Sequence, residues 1–90
     1  MDVTFKKPPC PFGRIVARIR EERHLTQSQL AQLVGRDQRT VSSIERGERE
    51  PLLSTILLYA AALNVRGAFL VEEYQRELER VRVPAPEYCE

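Results

Sequence analysis

Between Asp37 and Gly47 the chain carries Gln38, Arg39, Thr40, Ser42 and Ser43 around only two apolar residues, Val41 and Ile44. Amide, guanidinium and hydroxyl side chains are the types that pair with base edges and phosphate oxygens in a major groove. Val41 and Ile44 stand three apart, so a helix over this stretch buries one narrow edge and presents the rest. The presented set contains neither Lys nor Glu. Catalytic chemistry finds no comparable set. The chain has a single His, His24, and Ser42 and Ser43 have only Glu45 nearby on the same short helix. No phosphate loop and no cluster of metal-ligating residues is visible, so neither an enzyme nor a metal or cofactor site is expected.

The elements that must position this helix are legible on both sides of it. Thr26 is a helix start, because its hydroxyl can accept from a free backbone N–H of the first turn, and Gln29 three residues on completes a capping box. Leu30, Ala31, Leu33 and Val34 then fall on one face, leaving Gln27, Ser28, Gln29 and Gln32 toward water. Gly35 ends that helix in the left-handed conformation, Asp37 caps the next, and Gly47 closes it. Two short helices joined by a glycine turn, with small Ala31 near their crossing, match the helix-turn-helix arrangement, in which the second helix enters the groove. Upstream, Phe12 to Arg23 reads as a helix with Phe12, Ile15, Val16 and Ile19 on its core stripe. Downstream, Leu53 to Leu63 is almost wholly apolar, as expected of a helix packed on more than one side. Asn64 can end it in the left-handed conformation. A fifth helix is expected from about Gly67 to Val81, with Phe69 and Leu70 closing the core.

The stretch from Phe12 to about Leu70 resembles the phage repressor and Cro-type helix-turn-helix family, also called the XRE family. The residues that carry the resemblance are Ile19-Arg20, Leu25-Thr26-Gln27, Leu30-Ala31, Gly35, Thr40-Val41-Ser42, Ile44-Glu45, Gly47, Pro51 and Leu63. Three positions depart from it: His24 where Gly is frequent, Arg36 where a small apolar or hydroxyl residue is usual, and Arg46 where Asn is common. His24 is expected to take the helix-ending conformation. The resemblance implies an all-α, five-helix lambda-repressor-like DNA-binding domain, here with an extended C-terminal helix, in a sequence-specific regulator, expected to be a repressor, that binds double-stranded DNA as a homodimer. It implies that Arg20 pairs with Glu45 to lock the first helix to the third. It also carries the loop after the third helix past the DNA backbone, which makes Arg46 and Arg49 phosphate ligands. On this reading Thr26 and Gln27 lie at the phosphate-facing helix start, Gln38 and Arg39 read bases, and Thr40, Ser42 and Ser43 fill shorter contacts.

Ninety residues make one small domain. Fourteen basic against thirteen acidic residues, a net charge of +1, exclude a general basic coat for nucleic acid. The charge is uneven: residues 1–65 hold ten Lys or Arg against seven Asp or Glu, residues 66–90 four against six. Three segments are expected: an extended arm over 1–11 with Lys6 and Lys7 among prolines, the DNA-binding domain over 12–70, and a helix and tail over 71–90. Val71, Tyr74, Leu78 and Val81 recur at alternating spacings of three and four, a seam suited to dimerisation. The same family contains antitoxins and other protein-interaction modules, which makes a toxin or another protein a second kind of partner. Cys10 and Cys89 form no CxxC pair and read as free thiols of a cytoplasmic protein, with a redox disulfide as the alternative. No apolar run is long enough to cross a bilayer.

Overall fold

The computed structural model describes residues 9–81, where five helices follow one another: α1 (Pro11–Glu22), α2 (Gln27–Val34), α3 (Gln38–Glu45), α4 (Leu53–Leu63) and α5 (Gly67–Val81). No strand occurs among the described residues, and the all-α, five-helix expectation holds. Lys6 and Lys7 of the expected arm, Cys89, the tail from Pro84 and the side chain of Val81 lie outside the described residues.

Local chemistry sets the helix ends. The Thr26 hydroxyl accepts from the Gln29 N–H at 3.0 Å while the Gln29 amide oxygen accepts from the Thr26 N–H at 2.8 Å, a closed capping box. Replacing Thr26 with alanine should therefore lower stability by about 1 kcal/mol in chemical denaturation. Gly35 leaves α2 at φ 75°, where a side chain would be strained, and its N–H bonds back to Ala31 O at 2.9 Å. His24 and Asn64 adopt φ 59° and 61°, as expected of the residues that end α1 and α4. α1 begins one residue before the expected Phe12, because proline at the first helical position has no N–H to leave unpaired.

One buried cluster joins all five helices: Phe12, Ile15, Val16 and Ile19 of α1, Leu30, Ala31 and Val34 of α2, Val41 and Ile44 of α3, Ile56, Tyr59, Ala60 and Leu63 of α4, and Leu70 of α5. Phe12 stands at its centre, edge-on to Tyr59 with ring centroids 6.2 Å apart and tilted against Tyr74 at 5.6 Å. Arg23 reaches over to α4 and donates to Leu63 O at 2.6 Å, satisfying one of the carbonyls that the helix end leaves open.

Four expectations are corrected by the packing. Leu33 is 56% exposed, because it lies about a quarter turn from the middle of the stripe formed by Leu30, Ala31 and Val34. α4 is covered on one face only; Leu53, Leu57 and Leu58 remain exposed. Phe69 is exposed while its neighbour Leu70 is fully buried. Tyr74, four residues after Leu70, shares the same face and packs back on Phe12. The expected seam on α5 is thus divided: Val71 is exposed, Leu78 is half-buried and Tyr74, also half-buried, packs against the domain's own core.

Candidate nucleic-acid interface

Three helices are tied together by one carboxylate. Glu45, at the end of α3, accepts from Arg20 Nε at 2.6 Å and from a terminal nitrogen of the same guanidinium at 3.1 Å. The third nitrogen of Arg20 donates to Leu25 O at 2.7 Å, bracing the turn between α1 and α2. Gln27, the first residue of α2, donates its side-chain amide to Glu45 at 2.9 Å. Both charged side chains are largely covered, with 13% of Arg20 and 6% of Glu45 exposed. The hydrogen bond to Glu45 raises the Arg20 pKa above its already high ordinary value, so the guanidinium stays charged at any ordinary pH. The arrangement fixes the start of α2 and the end of α3 on a common frame.

α3 is held equally closely at its start. Asp37 Oδ1 accepts from the Thr40 N–H at 3.0 Å. The Thr40 hydroxyl, then its N–H, keep the Asp37 carboxyl below its ordinary pKa. The cap is therefore in place above the usual carboxylate range and is lost only as pH falls through the lowered value. On the frame so built, Gln38 and Arg39 project from the first turn, both exposed. Neither makes a hydrogen bond to another described side chain. Arg36 in the preceding turn and Arg49 in the following loop are exposed as well.

The structure separates the residues that sequence reasoning had grouped. Gln38 and Arg39 are presented together. Thr40 is half-buried and turned to the Asp37 cap. Ser43 is buried, and its hydroxyl donates to Glu48 Oε1 at 3.2 Å, so it is not part of the presented surface. Gln27 is half-buried with one of its two amide donors committed to Glu45, rather than turned wholly to water. The Thr26 hydroxyl accepts the capping bond. Arg46 is exposed but grips Glu48 with Nε at 2.7 Å and a terminal nitrogen at 3.2 Å, and its remaining nitrogen bonds the Ser42 hydroxyl.

A second surface escaped the sequence reading. Leu52, Leu53, Leu57, Leu58, Phe69 and Val71 are all exposed, at the cap and along α4 and at the start of α5. Leu57 lies over Gly67, the first residue of α5, so the exposed apolar side of α4 reaches the start of the next helix. The signal was present as a helix apolar on every side: a domain of five short helices covers one face of it and leaves another open.

The comparisons with known proteins agree with this geometry. Residues 16–70 match the family model described as helix-turn-helix. Over 59 residues, 66% of this chain and 77% of the relative, the sequence is 41% identical to the HTH-type transcriptional regulator y4dJ of Sinorhizobium fredii. It is 38% identical over 61 residues to the immunity repressor protein of Bacillus phage phi105, covering 68% of this chain and 42% of that one. Among solved structures, the restriction-modification controller protein C.AhdI from Aeromonas hydrophila superposes with a TM-score of 0.64 at 36% identity, over 68% of this chain and 88% of that one. A tyrosine variant of the controller C.Esp1396I bound to its highest affinity operator site superposes with a TM-score of 0.69 at 26% identity, over 78% and 92% of the two chains. An exposed α3 braced by a turn-linked α2, together with a family match over more than half of its length, leads to one conclusion: the chain belongs to the helix-turn-helix family of DNA-binding transcriptional regulators.

Proposed function

We propose that the protein is a sequence-specific repressor that binds a pseudo-palindromic operator as a homodimer. The observation that carries this reading is the exposed first turn of α3, where the side chains of Gln38 and Arg39 make no hydrogen bond to another described side chain, on a helix locked at both ends by Asp37 and Glu45. A rigid platform with adaptable tips is what bidentate reading of adenine by an amide and of guanine by a guanidinium requires. Gln27 at the start of α2, with Arg36 and Arg49 around α3, supplies the phosphate contacts that set the register. Similarity to an operator-bound controller and to a phage repressor supports the operator and repressor parts of the reading.

Dimerisation through the α4 and α5 apolar surface replaces the α5 seam as the preferred contact, since Tyr74 is already used inside the domain. Leu57, Leu58, Phe69 and Val71 form its centre, with Leu78 at its edge. A two-fold axis there presents two copies of α3 to successive major grooves, about 34 Å apart.

Selection from a random duplex library, with the mass of the protein in solution measured alongside, tests the proposal. An inverted repeat bound by a dimer is the expected result; a monomer that enriches no motif would overturn it. On the selected operator, Arg39→Ala should cost about 1 to 3 kcal/mol and relax preference at one base position per half-site. An equal loss on every sequence would reassign Arg39 to the phosphate backbone.

A further inference from the structure

Arg46 caps the end of α3, where each of its three guanidinium nitrogens makes a bond within the protein itself. Nε and one terminal nitrogen hold the two carboxylate oxygens of Glu48 at 2.7 and 3.2 Å, and the other terminal nitrogen holds the Ser42 hydroxyl. Ser43 adds a fourth bond, donating to Glu48 Oε1 at 3.2 Å. Stability does not explain such an arrangement. Both charged side chains are more than half exposed, at 55% and 54%, and exposed ion pairs contribute little to folding. What the geometry does reproduce is the two-oxygen, side-on fork by which arginine takes a phosphate.

We propose that Glu48 is a built-in stand-in for a DNA phosphate, which holds Arg46 and Ser42 closed in the free protein and yields them only when α3 is seated on its cognate site. The assignment rests on the DNA-binding reading above and adds a specificity-determining residue to it. Its logic is electrostatic. Non-specific affinity comes almost entirely from phosphate neutralisation, and an arginine already paired with a carboxylate brings no net charge to a phosphate. On random duplex the clamp stays closed and Arg46 contributes nothing. On the operator, base contacts by Gln38 and Arg39 press the end of α3 against the backbone, where one phosphate exchanges for Glu48. Discrimination therefore rises through weaker binding to wrong sequences. The Arg46 hydrogen bond, followed by that of Ser43, holds the Glu48 carboxyl below the usual carboxylate range, so the clamp is closed throughout the neutral range and pH does not open it.

The test is a double-mutant cycle of Glu48→Gln and Arg46→Ala, read as binding to the operator and to a scrambled duplex over a series of salt concentrations. Glu48→Gln alone should tighten binding to the scrambled duplex roughly five-fold or more and steepen its salt dependence by about one unit of slope per protomer. The operator should gain less, so that the specificity ratio falls. In the Arg46→Ala background the same substitution should leave only the small effect of removing one negative charge. Equal effects in both backgrounds would overturn the proposal, as would weaker operator binding by Glu48→Gln, which would make Glu48 a residue that positions Arg46 for DNA. If the wild-type protein binds no duplex at all, the DNA-binding reading falls and this one with it. If the wild type binds and Glu48→Gln matches it on both duplexes, this assignment alone fails.

Discussion

Replacing Glu45 with alanine is expected to lower the stability of the fold by about 3 kcal/mol, the cost of leaving a largely covered guanidinium without its partner. The effect is large because Glu45 serves three helices at once. Its loss strands two nitrogens of Arg20 and the amide of Gln27, and it frees the end of α3 from both neighbouring helices. Glu45→Gln, which keeps the shape and one acceptor oxygen, should cost less. Urea denaturation followed by circular dichroism measures both. A loss below about 1 kcal/mol for the alanine variant would show that the pair behaves as an exposed one. The loss should also reach DNA binding in whatever fraction remains folded, because the two sides of the reading surface, Gln27 and the first turn of α3, are then no longer fixed relative to each other.

Gly13→Ala should be comparably damaging, for a reason that runs against helix propensity. Alanine in place of a helical glycine ordinarily gains up to about 1 kcal/mol, even in the first turn of a helix where Gly13 sits. Here an added Cβ would meet the backbone of α3, at 2.7 Å from Glu45 O, 2.9 Å from Glu45 C and closer still to Ile44 O. These are backbone atoms at the end of a braced helix, with no rotamer to swing away. α1 and α3 must separate, opening the contacts of Phe12 and Val16 on which the core centres. Overpacking of this kind costs about 1 to 3 kcal/mol and sometimes more, and with so close an approach the clash outweighs the propensity gain. A net loss of about 2 kcal/mol or more is expected. Unchanged or increased stability in thermal denaturation would mean that α1 does not sit this close to α3. By contrast, the close neighbour of Gly67 is the end of a flexible leucine, so Gly67→Ala should be mild.

Gly13 marks where the sequence stops being legible. Nothing around it distinguishes it from a weak helix residue, because the reason for it lies on a helix about thirty residues further along. Ser43 is a similar case. Its type placed it with Ser42 among the groups able to touch DNA, but its hydroxyl faces Glu48, in the loop that returns after α3. Tyr74 had the spacing of a seam, and four residues earlier Leu70 set the face that carries it into the core. The apolar surface of α4 shows the limit from the other side, since a helix apolar on all faces says that more than one face is buried without naming what covers it.

The amino-acid order by itself determined where α2 and α3 begin and end, which residues turn left-handed, and that the exposed part of α3 is polar. Each of these follows from interactions within a turn or two of helix: a hydroxyl or carboxylate on the next free N–H, a glycine or asparagine at a stop, an apolar stripe at helical period. Only the tertiary structure decided which polar side chains remain available. A guanidinium or an amide is recognised by its type, but whether it is already taken depends on partners such as Glu45, 25 residues from Arg20 and 18 from Gln27. Such pairings are set when helices dock, and they leave Gln38 and Arg39 open while closing Arg46, Ser42 and Ser43 onto the protein itself.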